Sequence, residues 1–137
     1  MAEYFIAVNY NRKEFIDPGS IGLPYYLDSL HNFPMSGLLI YLMSTPISYE
    51  PKYKNQPNFF KGMWYYNLVA IIGDETRELE FQRVGEEFKD ITLEAMKDYR
   101  NSNLIFSDME LSYIDKLIDA EEERRLLAEA RENGELD

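Results

Sequence analysis

From Glu3 to Asn9 the chain sets Tyr4, Ile6 and Val8 against Phe5, Ala7 and Asn9 in strict alternation. Successive side chains of an extended backbone point to opposite faces, so this stretch predicts a strand apolar on both faces and central in a sheet. Asn11-Arg12 supplies turn chemistry before a second short strand over Lys13–Ile16. The two together predict a hairpin. Asp17-Pro18-Gly19 closes it, since proline fixes φ and glycine tolerates positive φ.

The period then changes. Leu23, Tyr26, Leu27 and Leu30 recur at i, i+3, i+4 and i+7, which stacks them on one side of a helix, with Pro24 suited to its first turn. Met35–Ser44 lies between Pro34 and Pro46 and is almost wholly apolar. Periodicity leaves helix and strand both open there; the leucine and methionine content favours helix. Pro46, Pro51 and Pro57 rule out a central strand or long helix over 45–61. Sheet character returns at Gly62–Asp74. Trp64 and Tyr65 read as a strand end, Tyr66-Asn67 as a turn, and Leu68–Ile72 as a buried strand stopped by Gly73-Asp74. For Glu75–Glu87, Leu79, Phe81 and Val84 fit either a strand or an irregular helix.

Asp90 or Thr92 can cap a helix reaching about Arg100. Ser107-Asp108-Met109-Glu110 matches a capping box, from which a long helix runs towards Asn133, with Gly134 as its C-cap. Met109, Leu111, Ile114, Leu117 and Ile118 give its first half an apolar stripe. Its second half, Asp119–Arg131, is mostly charged, supported by the Glu121–Arg125 spacing and interrupted by Leu126, Leu127 and Ala128. A helix polar nearly all round projects, frays or meets a partner. The expected fold class is α+β: a small, mainly antiparallel sheet packed by helices, with a long C-terminal helix. Residues 1–106 form the expected core domain, and 107–137 a charged helix that either joins it or projects.

Composition narrows the function classes. The 137 residues suit one domain, and 45% hydrophobic content is ample for one core. No cysteine is present, which removes disulfides, thiolate nucleophiles and cysteine-ligated metals and fits a reducing compartment. Met1-Ala2-Glu3 lacks a basic leader region, and the longest apolar run, Leu38–Met43, is far short of the ~20 residues of a spanning helix. A cytoplasmic protein away from membranes is expected. The net charge of -11, from 25 acidic and 14 basic residues, opposes duplex DNA, whose binding needs clustered lysine and arginine. That charge serves ordinary solubility, or it offers a face to a basic protein partner.

Catalytic signatures are sparse. His31 is the only histidine, so two-histidine metal motifs are excluded within the chain, and a place near a helix end gives it an ordinary structural role. No phosphate-cradling glycine loop, dinucleotide fingerprint or nucleophile elbow occurs. No cofactor is indicated. The carboxylates Asp17, Asp74 and Asp90 each sit at the end of an expected element. Converging, they would suit Mg²⁺ or Mn²⁺ in a hydrolase or nuclease, with Glu14 as a base; separately, they are turn and cap residues. Between the prolines, Tyr49, Tyr53, Phe59 and Phe60 alternate with Lys52, Lys54 and Lys61. Aromatic faces among cations can stack and hold single-stranded nucleic acid, or the same residues can fold over the core with solvated lysines.

Several short motifs resemble a family of short prokaryotic and phage-borne proteins of uncharacterised function. They are Tyr4-Phe5-Ile6-Ala7-Val8-Asn9, then Arg12-Lys13-Glu14-Phe15-Ile16-Asp17-Pro18 and Gly22, Gly62-Met63-Trp64, Leu68–Ile72 with Gly73-Asp74, and Asp90-Ile91-Thr92. The order matches over about the first hundred residues and leaves the C-terminal helix uncovered. Gly19 replaces the family's histidine after Asp-Pro, and the Pro/Tyr/Lys segment replaces its Gly/Arg/Asp-rich one. The resemblance implies a fold and transfers no catalytic residue. The leading expectation is therefore a non-enzymatic acidic protein-interaction module, a phage-type accessory or inhibitor, binding a protein partner or a second copy of itself through the C-terminal helix. A metal-dependent hydrolase and a single-strand nucleic-acid binder are the alternatives.

Overall fold

Phe5–Asn9 (β1) hydrogen-bonds to a strand on each side, and that central position follows from its being apolar on both faces. Glu14–Ile16 (β2) pairs with it antiparallel, Ala7 opposite Ile16 and Asn9 opposite Glu14. Val69–Gly73 (β3) pairs antiparallel on the other side, Phe5 opposite Gly73 and Asn9 opposite Val69. A two-residue strand, Lys89–Asp90 (β4), lies parallel to β2 and completes a four-stranded mixed sheet of order β3-β1-β2-β4. This computed structural model describes residues 3–23, 27–45, 60–102, 104–105 and 107–134.

The helices are Leu27–His31 (α1), Met35–Met43 (α2), Glu78–Glu87 (α3), Thr92–Arg100 (α4) and Asp108–Glu132 (α5), with a 3-10 turn at Pro18–Ile21. The fold is α+β, as the alternation of sequence periods requires. Two apolar clusters flank the sheet. Ile6, Val8, Phe15 and Ile72 face α3, meeting Val84 and Phe88. Ala7 and Ile16 face the other way into the larger core, where α2, α4 and the first half of α5 supply Leu38, Leu42, Met96, Ile114 and Ile118.

Several local expectations change. Trp64 and Tyr65 are not a strand end: residues 60–67 form successive turns, and Trp64 is fully buried beneath them. Burial of the indole needs a partner for its N–H, and Glu14 Oε1 accepts it at 3.0 Å. The Tyr66-Asn67 turn is present, with Tyr66 at φ 63°. Glu75–Glu87 resolves as turns followed by the regular helix α3, because Phe81, Val84 and Phe88 recur at helical spacing against the sheet. β4 has no counterpart in the sequence reading, since two residues carry no measurable period. The helix expected from Leu23 begins, among the described residues, at Leu27; residues 24–26 lie outside them.

One close approach fixes how α2 meets α4. A Cβ on Gly37 would lie 2.1 Å from the Tyr99 hydroxyl and 2.9 Å from its Cζ. The ring of Tyr99 therefore occupies the space a side chain would fill.

Candidate functional site

Each predicted carboxylate is held by its own element. Glu14, on β2, accepts from Trp64 and, at 3.1 Å, from Arg12 Nε. Asp17 ends β2 and caps the 3-10 turn, its Oδ1 accepting the Gly19 N–H at 2.9 Å. Asp90 ends β4 and stands at the start of α4. Its Oδ1 accepts the Thr92 N–H at 2.9 Å and the Thr92 hydroxyl at 2.5 Å, and its Oδ2 accepts from the Ser20 hydroxyl. The Asp17 N–H donates to Thr92 Oγ1 at 2.8 Å. Asp17, Ser20, Asp90 and Thr92 thus tie the turn after β2 to the β4–α4 junction. Thr92 is fully buried there.

This pairing alters Asp17. Burial pushes its carboxyl up to about 6, and the Asp90 charge adds to that, while the Gly19 N–H pulls the other way. The group loses its proton only as pH rises through about 6, and its place is that of a turn cap. Asp74 is elsewhere. It follows β3, accepts the Tyr4 N–H at 2.9 Å and returns its own N–H to Tyr4 O at 3.0 Å, ending the β1–β3 ladder. β3 and β2 are separated by β1, roughly 10 Å at normal strand spacing. The structure brings Asp17 and Asp90 together and places Asp74 across the sheet, while the Glu14 carboxylate on β2 is taken up by Trp64 and Arg12. Among the described residues no group of three or more histidine, aspartate or glutamate side chains could hold a metal ion.

Of the aromatic–lysine segment, Tyr49, Lys52, Tyr53, Lys54 and Phe59 lie outside the described residues. Phe60 and Lys61 lie within them. The Phe60 N–H donates to Asp98 Oδ2 at 2.9 Å, and Lys61 Nζ donates to Thr45 O at 2.9 Å. Lys61 therefore joins the two ends of that segment.

Asp98 is a residue the sequence reading missed. It is buried on α4 and also accepts from the Tyr41 hydroxyl at 2.6 Å. Burial, then the bond to Asp98, raises the Tyr41 phenol well above its usual range. The signal was present: Asp98 stands three residues after Ala95 and between the apolar Met96 and Tyr99, on the stripe α4 buries.

The C-terminal helix divides sharply. Ile114 and Ile118 are in the larger core, and Arg100 grips Asp115 through two bonds of 2.6 and 3.1 Å, which holds the Asp115 carboxyl below its usual range. Ser107 Oγ caps the helix by accepting the Glu110 N–H at 3.4 Å. Beyond Ile118 no residue up to Gly134 is buried. Leu126 is 67% exposed and Leu127 42%. Glu121 accepts from both Arg124 and Arg125, at 2.9 and 3.0 Å. That ladder extends the helix past its last contacts with the body, the Lys97–Glu122 ion pair at 2.9 Å and Arg124 beside Gly22.

Elsewhere the acidic side chains gather beyond β3. Glu3 accepts the Thr76 N–H and hydroxyl at 2.7 and 2.8 Å, bonds that hold its carboxyl low. Asp74, Glu75 and Glu78 line a hollow with Phe81 and Gln82. Among the described residues no helix is long and apolar enough to cross a membrane. No protein-family model, curated protein or solved structure matches the chain.

Proposed function

We propose that the protein is a non-enzymatic interaction module that presents an acidic surface and the distal half of α5 to another protein. One observation carries this reading: from Asp119 to Glu132 the helix has no buried residue, although it continues a segment whose isoleucines are packed in the core. Isolated helical segments of that length are marginal in water. Here the packed half nucleates it and ion pairs extend it, leaving a preformed helix on which Leu126 and Leu127 are exposed. An excess of carboxylates steers a partner carrying clustered lysine and arginine, accelerating encounter and adding salt dependence.

The resemblance to phage-borne proteins suits an accessory or inhibitory role in a prokaryotic cytoplasm, by analogy of motif alone. A metal-dependent hydrolase finds less support, because Asp17 and Asp90 are occupied as cap and junction ligands and Asp74 lies across the sheet.

The test compares the full chain with one ending at Asp119, each immobilised and exposed to host lysate at low salt. The full chain is expected to retain a defined set of basic proteins, identified by mass spectrometry and released by about 0.5 M salt. The shortened chain, with circular dichroism showing a retained fold, is expected to lose them. Identical captured sets from both chains would overturn the role of the helix, and a captured set without basic bias would overturn that of the charge.

A further inference from the structure

α5 carries two stripes. Leu111, Ile114 and Ile118 face the core, joined by the half-buried Glu121. At 3.6 residues per turn, Met109, Tyr113, Ala120, Leu127 and Ala130 fall on a second stripe, roughly 180° from the first. Lys116 and Glu123 complete it, so its members are separated alternately by four and three residues, the spacing of a coiled-coil seam. This stripe faces outward, with Tyr113 at its edge also packing on Phe33 at 6.5 Å between ring centroids. Met109 is 84% exposed, Tyr113 43% and Leu127 42%, while Lys116, Ala120 and Glu123 are exposed as well.

Several charges beside the packed stripe of α5 are paired. Asp115 pairs with Arg100, Glu122 with Lys97, and Glu121 with Arg124 and Arg125. Lys116 and Glu123 have no ion-pair partner among the described residues. Lys116 stands four residues before Ala120 and Glu123 three after it. A second helix crossing antiparallel, with a two-fold axis beside Ala120, brings Lys116 to the partner's Glu123 and, by symmetry, Glu123 to the partner's Lys116. The same operation sets Tyr113 against the partner's Leu127 and Met109 against the partner's Ala130. On the flank, Glu110 meets the partner's Arg131. Parallel pairing would instead put Lys116 against its own copy and Glu123 against its own, each a like-charge contact inside a seam. The small side chain at 120 permits close approach at the axis. Asp119 is the one like pair there, and it lies at the solvated rim.

We infer that the outward stripe of α5 is the interface of an antiparallel, two-fold-symmetric homodimer, an inference that rests on reading this helix as an interaction surface. The occupant is a second copy because the stripe is complementary to itself in charge, Lys116 meeting Glu123 in both directions, while the same register sets apolar Met109 and Tyr113 against Ala130 and Leu127. The seam spans ~30 Å from Met109 to Ala130.

The experiment is sedimentation equilibrium of the full chain across about 5 to 500 µM, a range bracketing a helix–helix contact of this modest size. The expected result is a concentration-dependent shift from 16.2 kDa to twice that mass. Lys116→Glu alone and Glu123→Lys alone are each expected to weaken association at least tenfold, and the double variant to restore it to within about threefold of the parent. All these positions are exposed, and circular dichroism checks that each variant keeps its helix content. Because the chain has no cysteine, Ala120→Cys supplies a second readout: oxidation is expected to link two chains through position 120. A single 16.2 kDa species at every concentration overturns the dimer. So does association indifferent to the single reversals, or unrepaired by the double one. Loss of self-association alongside capture of basic proteins that still requires residues beyond Asp119 would remove this inference and leave the interaction role standing. Failure of both would remove both.

Discussion

The Tyr41 hydroxyl donates to the carboxylate of Asp98 across 2.6 Å, linking α2 to α4 inside the core, and the same Oδ2 receives the backbone N–H of Phe60. A buried carboxylate is tolerable only when donors replace its lost water, so these bonds anchor Phe60 against α2 and α4. Tyr41→Phe removes one charge-assisted donor and is expected to lower unfolding free energy by about 1.5–3 kcal/mol in urea titration. Asp98→Ala is expected to lower it further, since it strands both donors. A Phe variant as stable as the parent would show that the hydroxyl contributes little.

Two helical glycines are predicted to respond oppositely to alanine. At Gly37 the new Cβ meets the Tyr99 ring, and α2 must move from α4. A loss of about 1–3 kcal/mol is expected, as for other overpacked interiors. At Gly85, on α3, nothing lies within 4 Å of the new Cβ. Gly85→Ala is expected to raise stability by about 0.5–1 kcal/mol through helix propensity. Thermal melts of the pair decide the matter, and equal shifts would contradict the packing.

The two halves of α5 are also predicted to differ. Ile114→Ala empties a fully buried site and is expected to cost about 2–4 kcal/mol. Leu126→Ala, at an exposed position, is expected to stay within about 0.5 kcal/mol of the parent. Hydrogen exchange along the helix gives an independent check: amides near Ile114 and Ile118 should exchange slowly, and those beyond Glu121 quickly.

Asp17 sets a pH dependence whose sign is fixed by its burial. The folded carboxyl, pushed up to about 6, holds its proton more tightly than the unfolded one. Its favourable contribution is complete below about pH 4 and is lost as pH rises through about 6. Asp17→Asn removes this titration and can still accept the Gly19 N–H. Relative to the parent, the variant is expected to gain on the order of 1–2 kcal/mol between pH 4 and 7, with a flat difference on either side. The exposed Asp115, held low by Arg100, acts in the opposite sense and cancels in that difference.

Local repetition determined much of this protein before any tertiary contact was considered. The two-residue period of Glu3–Asn9 specified a central strand, and the Ser107 capping box with its following stripe specified α5, because strand faces and helix stripes are properties of a single segment. The same holds for the ion-pair spacing of Glu121 and Arg125. Two residues at β4 have no period, so only the parallel ladder with Glu14 and Phe15 made them a strand. Trp64 became a buried turn residue only because Glu14 and the floor formed by α2 received it. The carboxylates show the division most plainly. Turn and cap chemistry placed Asp17, Asp74 and Asp90 at element ends, but strand order alone decided that Asp17 would meet Asp90 and that Asp74 would close a different edge. Strand order is a long-range choice among pairings, and no run of neighbouring residues encodes it.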